Sequence, residues 1–298
     1  MHGLFWTYFQ PVNLAVESAI FLTVAGWALW RGFRPVEPWV DEWAAARGLT
    51  LTSDNRGVVV RRLRLGRRVR TVGFVAGWLV PYLWLWVTRD ERVLSGSHPF
   101  FSIALVGGYL VAAVSVEVWF ARQAATSGAA FVEPRSLGAY LPPFARRAPR
   151  YAALGAVVLV AIYASMPWRA NEISWPSLPD YAMRALLVPA VVVGIEALQR
   201  LIVRRRQPFT SEPLLQADDA LRSASVNTLA AVAIAVTCLI CASLAWDLGG
   251  RSDVLVLRWV APFGAMALIA FGLACFRTLT DPRMRWRVRR GRLAARQA

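Results

Sequence analysis

Seven apolar segments, each close to 20 residues long, alternate with polar segments along the chain. A helix needs about 20 mostly apolar residues to cross roughly 30 Å of hydrocarbon, where every backbone polar group must be bonded internally. The pattern therefore predicts an all-α, polytopic integral membrane protein that forms one membrane domain over residues 1–298. Its seven transmembrane helices are predicted at about 12–30, 71–88, 99–121, 151–168, 181–203, 225–246 and 256–276.

Arginine is unevenly divided between the two alternating sets of polar segments. All 34 basic residues are arginine, and 28 of them lie in one set. The other set holds 4, and two more lie at the edges of spans. Because basic residues accumulate on the cytoplasmic side, the N-terminus is predicted outside and the C-terminus inside. The cytoplasmic segments are then the loops 31–70, 122–150 and 200–224 and the tail 277–298.

The chain combines a net charge of +16 with 57% hydrophobic residues. We interpret the charge as belonging to loops that face a lipid bilayer with an anionic inner leaflet. No polar stretch is long enough for a nucleic-acid-binding domain, so nucleic acid is not an expected partner. Abundant Arg, Ala, Val and Gly without Lys is typical of a GC-rich bacterial genome, which predicts a bacterial plasma membrane protein.

The absence of lysine also restricts the chemistry of the chain. A P-loop needs a lysine for nucleotide phosphates, and Schiff-base catalysis or retinal binding needs one as well. His2 and His98 both lie in predicted external segments, which argues against histidine-dependent metalloproteases and serine proteases. Cys238 and Cys241 lie in an apolar helix and are interpreted as packing residues. We therefore expect no catalytic residues, no metal, no cofactor and no enzymatic activity.

Two of the cytoplasmic segments contain helix signals. In segment 200–224 the stretch LLQADDALRSAS predicts a short helix, with Asp218 and Arg222 at i and i+4 in the favourable order for an ion pair. Residues 38–47 form a helical pattern that stops at Gly48, and Thr52 or Ser53 can cap a second helix over about 54–70. We expect the second helix to lie at the inner surface before the chain turns into the second span. Its basic face would contact either lipid phosphate or a partner protein. That face contains Arg61, Arg62, Arg64, Arg67 and Arg68.

Ionisable residues inside spans are costly and are therefore the default candidates for function. Glu17 and Arg184 lie toward the external ends of their spans, where each is a plausible partner of the other. Glu117 and Glu196 lie toward the cytoplasmic ends. Together they would form a cation or proton site, or each would pair with an arginine such as Arg200 and be structural.

Three stretches carry a resemblance: EWAAARGLTLTSDNRGVVVRRLRLGRRVR, VEPRSLGAYLPPFARR and LLQADDALRSASVNTL. They resemble cytoplasmic segments of a group of actinobacterial multi-span integral membrane proteins with no established activity. The likeness covers about half of the chain. It implies a location beside ATPases of transport systems, and it supplies no functional residue to carry over.

These observations give a ranked set of functions. First comes a non-enzymatic permease-like or accessory subunit of a membrane transport complex, with a separate cytoplasmic ATPase or other protein as its partner. The alternative is a membrane sensor or scaffold that signals to a cytoplasmic partner, and the third is a membrane enzyme acting on a lipid.

Gly73 and Gly77 form a G-x-x-x-G motif compatible with close helix packing inside the bundle or with a homo-oligomer.

Overall fold

The computed structural model describes residue 19 and residues 22–88, 107–109, 111–120, 136–166, 177–204, 211–252 and 254–280. Within these ranges the chain is helical and contains no strand. The helices are α1 (22–33), α2 (Glu37–Ala45), α3 (Ser53–Thr88), α4 (107–109 and 111–120), α5 (Leu137–Tyr140), α6 (Pro143–Ser165), α7 (Leu178–Arg204), α8 (Glu212–Arg251) and α9 (Leu255–Thr280).

Among the described helices, four are long and apolar enough to cross a membrane. These are α6, α7, α8 and α9, and they correspond to the last four spans predicted from the sequence. The chain is accordingly a helical membrane protein with several candidate spans. The predicted spans at 12–30, 71–88 and 99–121 fall on α1, α3 and α4 where the structure describes them, and a total of seven stays a prediction.

The chain divides into two compact units. The first comprises Met1–Pro38 and Val60–Trp119, and the second comprises Trp39–Val59 and Phe120–Ala298. In the second unit α8 is the central helix, because α6, α7 and α9 all pack against it. The apolar window of α8 is 78% buried, against 39% or less in the other three candidate spans. This helix is rich in alanine, as expected of a helix that packs closely against several others.

Glycine residues allow α9 to pack closely against α8. A Cβ added to Gly249 would lie 2.8 Å from Pro262 Cδ, and one added to Gly272 would lie 3.1 Å from Cys238 Cβ. Both distances are too short for an undisturbed side chain. Glycine at these two positions therefore permits the contact between the two helices.

The first of the two helices predicted in segment 31–70 agrees with its sequence signals. α2 buries Val40 and Trp43, and it ends in a turn in which Gly48 has a φ of 65°. The Leu49 amide donates to Ala44 O at 3.0 Å, which satisfies a carbonyl of the last turn. The prediction that a glycine at position 48 terminates this helix is confirmed.

One sequence expectation about where a helix ends was wrong. The predicted helix over 54–70 and the second span are one continuous helix, α3, with no turn between them. No proline interrupts residues 53–80, and arginine and leucine are good helix formers, so nothing breaks the hydrogen-bond ladder there. The fourth span was predicted at about 151–168, and α6 ends close to that bound, at Ser165. Met166 is extended, as expected for a residue that precedes a proline.

In the first unit α3 packs against α1 and α4 through glycines. A Cβ on Gly32 would overlap the Thr71 side chain, and a Cβ on Gly73 would overlap Ala112 and the carbonyl of Gly108. A Cβ on Gly108 would lie 2.6 Å from Gly77 Cα. The G-x-x-x-G motif is thus occupied by another helix of the same chain. A homo-oligomer remains a prediction that this contact does not support.

We predict that Gly108→Ala destabilises the protein by about 1–3 kcal/mol, because the new methyl group has no room against Gly77. The matched control is Gly107→Ala, since no described atom lies within 4 Å of a Cβ at that position. Alanine also favours a helix over glycine by about 1 kcal/mol. Thermal unfolding in detergent should therefore show a lower midpoint for Gly108→Ala alone, and equal midpoints for both variants would contradict the packing.

Candidate functional site

Glu117 lies on α4 with only 2% of its surface exposed. Its carboxylate is 3.4 Å from Arg62 Nη2 and 3.5 Å from Arg70 Nη2, and both arginines belong to α3. All three residues lie within the first unit. The two guanidinium groups give this buried carboxylate partners of opposite charge.

Glu196 lies on α7 and is paired with arginine on two sides. Arg150 of α6 donates from Nε to Oε1 at 2.7 Å and from Nη2 to Oε2 at 3.0 Å. Arg200, one turn further along α7, donates to Oε2 at 3.4 Å. The expectation that Glu196 pairs with Arg200 agrees with this geometry, although the closer bidentate partner is Arg150.

Arg184 forms an ion pair with Asp247 of α8, with Nη1 and Oδ2 2.7 Å apart. Both side chains are at least 90% buried, and the pair joins α7 to the central helix. The partner expected from the sequence, Glu17, lies outside the described residues. Beside this pair the Tyr181 hydroxyl donates to Leu244 O at 2.8 Å, which adds a second polar link between the same two helices.

The five arginines proposed as a lipid- or partner-facing surface are not equally exposed. Arg61 is exposed, whereas Arg62, Arg64, Arg67 and Arg68 are only partly accessible. Arg62 contacts Glu117 as described above, and Arg64 forms an ion pair with Glu37. Much of this basic face therefore forms contacts inside the first unit.

The other two arginines of this face lie near aromatic or basic neighbours. The Arg68 guanidinium lies 5.2 Å from the centre of the Phe33 ring. Partial burial, together with the nearby charges of Arg31 and Arg34, lowers the pKa of Arg67. Three guanidinium groups thus repel one another at this end of α1 and α3.

A buried polar network joins α5, α7 and α8 in the second unit. Arg222 is fully buried, and its Nε donates to Asp218 Oδ2 at 2.7 Å. Its Nη1 donates to Val203 O at 3.3 Å, near the C-terminus of α7. The i, i+4 pair expected from the sequence is therefore confirmed, and it also satisfies a carbonyl near the end of a neighbouring helix.

Asp219, the residue after Asp218 on α8, belongs to the same network. Tyr140 donates from its hydroxyl to Asp219 Oδ1 at 2.7 Å, and Asn227 donates to Tyr140 O at 3.2 Å. Asp218 and Asp219 are adjacent and bind different elements, since neighbouring residues on a helix point in different directions. The short helix α5 is therefore held against α8 at two points.

Asn55 provides a further link, between the start of α3 and the start of α8. Its side chain is fully buried, and Oδ1 accepts from the Thr52 amide at 2.9 Å. Its Nδ2 donates to Thr50 O at 2.9 Å and to Pro213 O at 3.3 Å. The bond to Thr52 is of the capping-box type, in which the third helical residue binds the amide before the helix.

The sequence interpretation did not single out Asn55, Tyr140 or Arg150. A signal for Asn55 was present, because a polar side chain three residues after a candidate N-cap is typical of a capping box. No local signal indicates the pairing of Arg150, because Glu196 is 46 residues away in sequence. No local pattern indicates the role of Tyr140, because Asp219 is 79 residues away in sequence.

No metal site emerges from the described part of the chain, where no three His, Cys, Asp or Glu residues are suitably grouped. Cys238 and Cys241 are both buried and free, and Cys241 Sγ lies 3.4 Å from Ala152 O. These positions agree with their interpretation as packing residues.

Comparison with known proteins gave no match to a family model, a curated protein or a solved structure.

We predict that Arg222→Leu costs about 3–5 kcal/mol of stability, because Asp218 then stays buried without its guanidinium partner. The double substitution Asp218→Leu with Arg222→Leu should recover most of that loss, since it removes both charges together. Gln216→Ala is the control, because it breaks only an exposed bond to Glu212 and should change stability by about 0.5 kcal/mol or less. Unfolding midpoints in detergent measure all three, and a double variant as unstable as Arg222→Leu would refute the pairing argument.

Proposed function

We propose that the chain is a non-enzymatic subunit of a membrane transport complex, permease-like or accessory, which binds a separate cytoplasmic partner. In this proposal it crosses a bacterial plasma membrane seven times, with its N-terminus outside and its C-terminus inside. The four long apolar helices and the strong arginine asymmetry support the topology. The single observation that supports a partner protein is that α3 and α8 extend well beyond the segments predicted to cross the membrane.

Both helices continue far past the segments predicted to cross the membrane. α3 has 18 residues before position 71, which is about 27 Å of helix, and α8 has 13 residues before position 225, or about 20 Å. Their first turns are tied together through Asn55 and Pro213 O. A helix that only contacted lipid headgroups would not need this buried connection. A preformed cytoplasmic surface is what a partner protein requires.

The exposed residues around that connection favour a protein over the bilayer. We call Asp41, Glu42, Asp54 and Glu212 the acidic tip, since all four are exposed acids. Arg56 links two of its elements, with Nη1 2.8 Å from Asp41 Oδ1. Acids are repelled by an anionic leaflet, so the acidic tip is expected to face away from the lipid and toward a basic surface of a partner.

An ATPase is the proposed identity of the partner. The resemblance described above implies a location beside such proteins, and this chain lacks the lysine that a P-loop needs. Energy from nucleotide hydrolysis would therefore come from a different chain. The acidic tip would be the surface that receives it.

The proposed topology predicts the labelling of single cysteines introduced at exposed serines. Ser177→Cys, before α7, should react with a membrane-impermeant maleimide in intact cells. Ser53→Cys and Ser211→Cys should react only after permeabilisation, because both lie on the arginine-rich side. The three native cysteines are buried and provide a low background. Labelling of Ser211→Cys in intact cells would overturn the orientation.

The partner is tested by purifying the tagged full-length chain from its native host in mild detergent, followed by mass spectrometry. We expect a stoichiometric ATPase with the unmodified chain, and a severalfold lower recovery with Asp54→Asn combined with Glu212→Gln. Asp180→Asn is the matched control, because Asp180 is also an exposed acid in a first helical turn but lies on the predicted external side. Recovery of the chain alone, as a clean monomer or homodimer, would refute the proposal.

A further inference from the structure

A pocket of about 130 Å³ lies among α5, α6, α7 and α8 in the second unit. Its inner part is apolar and is formed by buried residues that include Val192, Ile195, Ala230 and Ala233. Its outer part carries charged residues, namely Arg146, Arg150, Arg200 and Glu196. The pocket thus combines an apolar floor with a charged mouth.

The mouth has an excess of positive charge. Three arginines surround one glutamate, and both oxygens of Glu196 are already occupied by Arg150. Arg146 forms no ion pair with any residue in the described parts of the chain. Arg200 contacts Glu196 only at 3.4 Å and leaves 57% of its side chain exposed. Two guanidinium groups are therefore available to an anion, with donors suited to phosphate oxygens.

Apolar surface continues from the mouth along both neighbouring helices. On α6, Leu154 follows Arg146 and Arg150 at helical spacing and is 63% exposed, and Val158 continues the same face. On α7, Val193 precedes Arg200 by seven residues and is 67% exposed. Because α6 and α7 are joined by the Arg150–Glu196 pair, their charged ends lie together. The surface next to the mouth is thus long, apolar and facing outward.

We propose that this pocket and the adjoining faces of α6 and α7 bind an anionic phospholipid, with its phosphate at Arg146 and Arg200 and its acyl chains along Leu154 and Val193. The pocket volume suits a phosphate group and a few further atoms. It is too small for a whole lipid, and the exposed apolar stripes accommodate the rest. Basic pockets between membrane helices recognise phosphate headgroups through the same chemistry.

Free phosphate shares the headgroup chemistry but not the acyl chains. It would use the arginines of the mouth and gain nothing from Leu154 or Val193. Lipid binding is therefore distinguished by its dependence on both parts of the site. The proposed topology assigns the lipid to the inner leaflet, but binding itself is independent of the topology and of the partner.

The test measures the unfolding midpoint of the purified full-length chain in detergent as phosphatidylglycerol, phosphatidylcholine or inorganic phosphate is added. We expect phosphatidylglycerol to raise the midpoint, and the two other additives to leave it almost unchanged. Arg146→Gln should weaken the apparent affinity for phosphatidylglycerol by about fivefold, for the loss of one arginine near an anionic headgroup. Leu154→Ser should weaken it as well.

Arg147→Gln is the matched control, because Arg147 is an exposed neighbour on α6 that does not line the pocket. It should retain the full response to phosphatidylglycerol. Midpoints without lipid establish that each variant is folded. Equal stabilisation by phosphatidylcholine, equal stabilisation by inorganic phosphate, or equal weakening by Arg146→Gln and Arg147→Gln would each overturn the site.

Discussion

The ion pair between Asp218 and Arg222 is the interaction on which one end of the second unit depends, where α7 finishes and α8 begins. Neither side chain is accessible, so its two charges are stable only together and only while their remaining hydrogen-bonding groups are satisfied. Arg222 meets this condition by also donating to Val203 O, which places the end of α7 against α8. The pair consequently specifies the relative position of two helices as well as balancing charge.

The remaining polar contacts of the second unit extend this arrangement. Tyr140 brings α5 to α8, and Asn55 brings the start of α3 to the same helix. At the other end of α7, Arg184 and Asp247 form a second buried pair. Polar links at both ends and close packing through small residues in the middle are a common way for membrane helices to associate, because burial of apolar surface gives no advantage in lipid.

Much of the helix content was predictable from the sequence, because length and hydropathy are properties of local segments. The turn at Gly48 and the Asp218–Arg222 pair depend on residues within about one or two helical turns. Each candidate span depends on one continuous apolar segment of about 20 residues. The partner of Glu196 was harder to predict from the sequence. Arg150 lies 46 positions away, and its proximity depends on how α6 packs against α7. The contact between the G-x-x-x-G motif of α3 and helix α4 was equally hard to predict, because it also depends on how two distant segments pack.

The continuity of α3 was not predicted, for a different reason. The change from arginine-rich to apolar sequence near residue 71 marks a change of environment, and it was interpreted as a change of direction. Helix propensity does not distinguish the two environments, so the hydrogen-bond ladder continues across the boundary. A change in hydropathy along a helix therefore does not imply a bend in it.

The continuity of α8 has a mechanical consequence. A helix of 40 residues is about 60 Å long, and its first third lies before the predicted span. Because the backbone has no hinge at the membrane boundary, a force applied to the first turn of α8 acts on a stiff rod. The rod must tilt or slide as a whole, and α6, α7 and α9 all pack directly against it. A displacement of one end of α8 would therefore also disturb its packing against these three helices.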